Sequence, residues 1–120
     1  MDQKELLKQI KTTDSLYAIQ KYIGKVIEIR GFANNPIEEE LLLLTEEVGE
    51  LAKAVRKEKY PVDNKKLKNY DSIESEIADV FIVLTSICNS LKINLYDVII
   101  EKENKNIEII WQKVEKDKNE

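Results

Sequence analysis

Histidine is absent from this sequence. That excludes Ser-His-Asp and Cys-His catalysis, imidazole-ligated zinc, and the Glu-x-x-His arrangement of di-iron bundles. Cysteine occurs once, as Cys88. One thiol makes neither an internal disulfide nor a thiolate metal cluster, and fits a reducing compartment. Long apolar runs are also missing. Runs such as Leu41 to Leu44 and Val80 to Leu84 fall far short of the roughly 20 residues of a membrane span. Met1 to Lys11 is polar and lacks the apolar stretch of a signal peptide. An excess of positive charge is absent too. The net charge is -4, which disfavours binding of a nucleic-acid polymer through a basic surface. The expectation is a soluble, cytoplasmic protein without a membrane or nucleic-acid partner. Its chemistry must rest on carboxylates, lysines, hydroxyls and amides, and carboxylate oxygens suit Mg2+, or Mn2+.

Only three glycines and two prolines interrupt the chain. Apolar residues recur at three- and four-residue steps, and no period-two alternation marks a strand. The fold class expected is all-α, a four-helix bundle-like single domain over residues 1–120, with 1–11 and 117–120 frayed. A short leading helix over Asp2 to Ile10 is a weaker feature. The first clear helix begins at an Asp14 or Ser15 cap and stops at Gly31. The next has Asn35 as cap and Pro36 in the first helical position. Glu38, Glu39 and Glu40 stand in its first turn, where the helix dipole favours negative charge, and it runs to about Lys57. A polar connection, Tyr60 to Tyr70, carries Lys65, Lys66 and Lys68. A third helix, capped by Asp71 or Ser72, reaches about Leu91. A fourth, capped by Asn94, spans Leu95 to about Lys116. Tyr96 and Trp111 on it read as core or subunit contacts, and Cys88 as a small core residue.

Two acidic motifs stand out. Glu46-Glu47-Val48-Gly49-Glu50 lies on the Asn35–Lys57 helix, and Glu76-Ile77-Ala78-Asp79 on the next. Carboxylates three residues apart share a helix face, with Cβ atoms about 5 to 6 Å apart. Two such pairs on facing helices would form a nest whose mutual repulsion bound divalent cations reverse. Apolar stripes run beside them: Leu44, Val48, Leu51 and Val55 on one helix, and Ile77, Val80, Phe81, Leu84, Ile87 and Cys88 on the other. A glycine inside a helix costs about 1 kcal/mol relative to alanine, and at Gly49 close approach of another element or ligand would explain it. Because 35% of the residues are charged, spacing alone favours ordinary solvated helix faces over a metal site.

The order of the motifs carries more. Glu46-Glu47-Val48-Gly49-Glu50-Leu51-Ala52-Lys53, a spacer, then Glu76-Ile77-Ala78-Asp79-Val80 resembles the E-E-x-x-E … E-x-x-D signature of the MazG-like all-α nucleoside triphosphate pyrophosphohydrolases. Leu91-Lys92-Ile93-Asn94-Leu95 resembles the turn after the second motif, and Lys102 and Asn106 resemble the family's phosphate-contacting pair. The resemblance spans Gly31 to Asn106. It implies helical hairpins assembled as homodimers or homotetramers. It implies hydrolysis of an NTP or dNTP between the α and β phosphates to a nucleoside monophosphate and pyrophosphate, in nucleotide-pool house-cleaning.

Carried over position by position, Glu47, Glu50, Glu76 and Asp79 would be the metal ligands. Glu46, about 100° around the helix from Glu47, is either an acid that helps activate water or a solvent-facing residue. Lys102 would give the phosphates a point charge and Asn106 a neutral donor. Lys53 reads as a phosphate contact or an ion-pair partner of Glu50, and Phe32 as a base-stacking ring or a core plug. Ile109 replaces an arginine found in many members. Val83 replaces an aromatic residue of some pyrimidine-selective ones. A non-catalytic helical assembly module, and a specialised dUTPase or phosphoribosyl-ATP pyrophosphohydrolase, are the competing readings.

Overall fold

A computed structural model describes residues 1–60 and 72–118, with side chains as far as residue 109. Every regular element among them is an α-helix: α1 Gln3–Lys8, α2 Leu16–Ile29, α3 Ile37–Lys59, α4 Ile73–Ser90 and α5 Leu95–Lys118. The lysines of the 65–68 segment and the side chain of Trp111 lie outside the described residues.

Local chemistry sets the helix ends. The leading helix is well formed: Asp2 and Glu5 make a reciprocal capping box, and Leu6 is buried. Ser15 caps α2 through the Ala18 N–H, and Ser72 caps α4 through the Ser75 N–H. Asn94 Oδ1 accepts from the Asp97 N–H at 3.2 Å at the start of α5. At α3 the expectation is off by one residue. Pro36 itself is the cap, without a side-chain hydrogen bond, and Ile37 is the first helical residue. Proline's fixed φ suits either position, so the motif does not separate them.

Two helices end alike. After α2 the Gly31 N–H donates to the Glu28 carbonyl and the Phe32 N–H to the Ile27 carbonyl, with Gly31 at φ 84°. After α4 the Lys92 N–H donates to Asn89 and the Ile93 N–H to Cys88, with Lys92 at φ 58°. This six-to-one, five-to-two pattern closes a helix with one left-handed residue.

α3 and α4 pack antiparallel as the main helix pair; α2 packs on α4, while α5 lies chiefly against α2. A polar clip fixes the second arrangement. Gln20, buried on α2, donates from Nε2 to Asn89 Oδ1 at 3.0 Å and to the Ile93 carbonyl at 2.8 Å. Its Oε1 accepts the Leu95 N–H at 3.0 Å, and Asn89 Nδ2 donates to the Gln20 carbonyl at 3.1 Å. A Cβ added at Gly24 would stand 3.2 Å from Asn89 Nδ2, so this glycine lets the two helices approach.

The apolar stripes need correcting. The inward stripe of α3 is Ile37, Glu40, Leu44, Glu47, Leu51 and Ala54, all buried or half-buried. Val48 and Val55 point outward at 49% and 43% exposure, and Ile77, Phe81 and Leu84 of α4 are exposed as well. The true seam alternates steps of three and four and passes through two glutamates, which a search for apolar residues steps over. Tyr96 is exposed and so is not a core residue of this chain. Cys88 is buried, as expected, and burial pushes its thiol pKa up. None of the described helices is long and apolar enough to cross a membrane.

Candidate active site

Helical phase decides which acids meet. Glu47 lies on the inward stripe of α3, while Glu76 and Asp79, three residues apart, share a face of α4. The antiparallel packing brings one carboxylate oxygen from each of the three within 4.8 Å of one another. Glu76 is buried, and Glu47 and Asp79 are half-buried. Three carboxylates this close repel one another strongly in a partly desolvated cleft, and a hard divalent cation turns that repulsion into attraction. An all-oxygen donor set on two rigid helices fits Mg2+ or Mn2+.

The other candidates are placed differently. Glu50 is exposed and does not belong to the three-acid group. Glu46 is exposed, next to Glu47 but off the seam. Lys53 is half-buried one turn beyond Glu50. Lys102 is exposed and Asn106 half-buried on α5, where Asn106 Nδ2 donates to Glu103 Oε2 at 2.8 Å. Because α5 packs chiefly on α2, one chain does not join this pair to the carboxylates as closely as α3 and α4 are joined. The glycine argument finds no support among the described residues, where a Cβ on Gly49 would meet nothing within 4 Å.

Phe32 is 53% exposed and is not a core plug. It borders a cavity of about 140 Å³ whose wall also includes Asn35, Glu40, Leu43, Val83 and Ser86. Glu40 is the residue that reading the sequence missed. It counts there as a third first-turn acid, yet it is buried and bonded to two serines of α4. Its signal was its position seven residues before Glu47, which places both on one stripe.

Residues 35–109 match the family model of the MazG nucleotide pyrophosphohydrolase domain. A Bacillus subtilis (strain 168) protein named Uncharacterized protein YpjD is 37% identical over 78 residues, covering 62% of this chain and 70% of its own length. No solved structure matches. The chain belongs to the MazG nucleotide pyrophosphohydrolase domain family. All three clustered acids, and the cavity residues from Asn35 onward, lie inside the matched span.

Proposed function

We propose that this chain is a single-domain, Mg2+-dependent pyrophosphohydrolase that cleaves a nucleoside triphosphate between its α and β phosphates. The observation that carries the reading is the Glu47, Glu76 and Asp79 group, three acids from two facing helices within 4.8 Å, inside a nucleotide pyrophosphohydrolase domain. A solvated charged face does not bury Glu76 or draw three carboxylates together.

Glu47, Glu76 and Asp79 would hold the cation, with Glu50 reaching in from the exposed side as a fourth ligand. The cation, when bound, supplies polarisation of the α-phosphoryl group and a lowered pKa for a bound water. The acids would hold the cation on the cleft side of the seam. Glu46 would act from the exposed rim. Water's oxygen joins the α-phosphorus, the α–β bridging oxygen leaves with pyrophosphate, and a nucleoside monophosphate and a proton remain. Lys53, Lys102 and Asn106 would hold the phosphates, and Phe32 the base.

The exposed apolar residues Val48, Val55, Ile77, Phe81 and Leu84 on α3 and α4, with Ile99, Ile100 and Ile107 on α5, support assembly as a homodimer or homotetramer. A second copy is also a source of Lys102 and Asn106 for the carboxylate group. Clearing unwanted nucleotides in the cytoplasm is the role that suits such a small, general site.

Pyrophosphate release from a panel of NTPs and dNTPs with Mg2+, with and without chelator, tests the reading. Chelator-sensitive release is expected. No turnover on any nucleotide, with no metal binding by calorimetry, would leave the assembly-module reading standing instead. The same panel separates a general enzyme from a dUTPase or a phosphoribosyl-ATP enzyme.

A further inference from the structure

α5 starts from a base built around one side chain. Gln20 of α2 is 5% exposed, and both hydrogens and the oxygen of its amide are engaged. Nε2 donates to Asn89 Oδ1 at 3.0 Å and to the Ile93 carbonyl at 2.8 Å, while Oε1 accepts the Leu95 N–H at 3.0 Å. Asn89 Nδ2 donates in return to the Gln20 carbonyl at 3.1 Å. The last turn of α4, the connection after it and the first residue of α5 therefore meet on one amide. A first-turn N–H has no partner inside its own helix. Leu95 finds its partner 75 positions earlier in the chain.

Little else holds α5. It lies chiefly against α2. Beyond Leu95, which is buried, every position described to residue 109 is exposed except Asn106, which is half-buried. Its direction is thus decided at its base. Lys102 stands seven residues past Leu95, about 10 Å along the axis, and Asn106 about 16 Å along it. A tilt of about 10° at the base would carry Lys102 sideways by about 2 Å and Asn106 by about 3 Å. A misplacement of about 1 Å can already cost about 100-fold in rate.

We propose that Gln20 and Asn89 are positioning residues, which set the angle of α5 and through it the reach of Lys102 and Asn106 to the phosphates. The inference rests on the phosphate role proposed above for that pair. It adds two residues outside the group of acids, and Gln20 precedes the 35–109 span of the family match. Apolar helix faces slide on one another at little cost, whereas a satisfied buried polar network specifies one arrangement. Glutamine's chemistry is specific here. A glutamate at 20 would lack both donors, and an asparagine would be one methylene short. Gly24, one turn further along α2, keeps the space for Asn89: a Cβ there would stand 3.2 Å from Asn89 Nδ2.

The test is a double-mutant cycle on the full chain, crossing Lys102→Ala with Gln20→Ala and with Asn89→Ala. Steady-state kinetics use the NTP and dNTP panel with Mg2+. Calorimetry uses inorganic triphosphate with Mg2+, which offers phosphates without a base, and Mg2+ alone. Gln20→Ala should raise KM and the triphosphate Kd by about tenfold, with kcat changed less than about threefold. Asn89→Ala, which leaves the Gln20 bonds to Ile93 and Leu95, should raise them by about threefold. In the Gln20→Ala background, Lys102→Ala should add less than about twofold, because a lysine already out of reach contributes little. Affinity for Mg2+ alone should stay within about twofold in both clip variants.

Independent losses, about 100-fold in the Gln20→Ala/Lys102→Ala protein, would overturn the positioning role and leave Lys102 on the phosphates. Weaker Mg2+ binding, or a fall in kcat to match the rise in KM, would make the clip general support for the fold and overturn the proposal too. If Lys102→Ala alone changes neither KM nor the triphosphate Kd, the phosphate reading of α5 fails and this inference with it. Coupled losses in triphosphate binding without turnover of any nucleotide would uphold the positioning role while the hydrolase reading falls. If Gln20→Ala does not fold, the Asn89→Ala cycle decides: losses from Asn89→Ala and Lys102→Ala that multiply sink the proposal.

Discussion

The α3–α4 seam carries buried acid at two places, and the two are built on opposite principles. At one, Glu47, Glu76 and Asp79 converge within 4.8 Å. At the other, Glu40 stands alone between two serine hydroxyls. The first concentrates like charge. The second isolates a single acceptor. The same residue type at the same helical phase thus meets like charge or hydrogen-bond donors, according to whether the facing helix supplies acid or hydroxyl. A stability-optimised seam would carry leucine at both places. Each departure from that places a charge or a polar atom in the seam, which is where local rules are expected to break.

This contrast can be broken most sharply at Asp79. Asp79→Asn should lower turnover by at least about 100-fold while the fold is kept, and should raise the metal-free melting temperature by removing one of three crowded charges. Near wild-type kcat in a folded Asp79→Asn protein would mean that the cation sits elsewhere. Metal dependence of stability comes next. Saturating Mg2+ at about 100 times its Kd should add about 2.7 kcal/mol to wild type and much less to Asp79→Asn, read from denaturant titrations. Equal gains in both proteins would separate the acids from the metal. A smaller effect is expected at Lys102, outside the seam. Lys102→Ala should raise KM by about tenfold, near 1.4 kcal/mol, with helicity unchanged by circular dichroism; unaltered kinetics would remove α5 from phosphate binding.

The smallest effect concerns the outer side of α3. Gly49→Ala has open space among the described residues and should add about 1 kcal/mol of stability. A loss of stability instead would show that another copy of the chain packs against that glycine. Either sign sharpens the contrast, because Gly49 follows Glu47 by two residues and faces away from Glu40's stripe.

The secondary structure was legible where a residue's chemistry acts on its own neighbours. Ser15, Ser72 and Asn94 cap because a short polar side chain reaches an N–H two or three residues on, and Gly31 ends α2 because it alone tolerates its φ at no cost. Lys92 was not legible as a helix stop, since nothing in lysine favours a positive φ. The three acids that meet were legible through spacing and order. Glu50's separation from them was not, because spacing of three leaves it ambiguous which member of a pair turns inward. Glu40 was hidden by its own setting. An acid in a first helical turn has a sufficient local explanation in the dipole, and only the serines of a helix 46 to 50 residues away show that it serves something else. Tertiary pairing, unlike capping, leaves no local trace.

The lone thiol gives this molecule a built-in gauge. Cys88 is 7% exposed and sits two residues after Ser86, on the helix that closes over Glu40. Burial keeps its sulfur protonated above the usual range, so alkylating reagents find almost no thiolate while the helices stay closed. The rate at which a thiol reagent labels the unaltered protein therefore reports local opening around Cys88. Slower labelling in the presence of a ligand would time the closing of the seam around it, without a mutation, a fluorophore or a turnover assay.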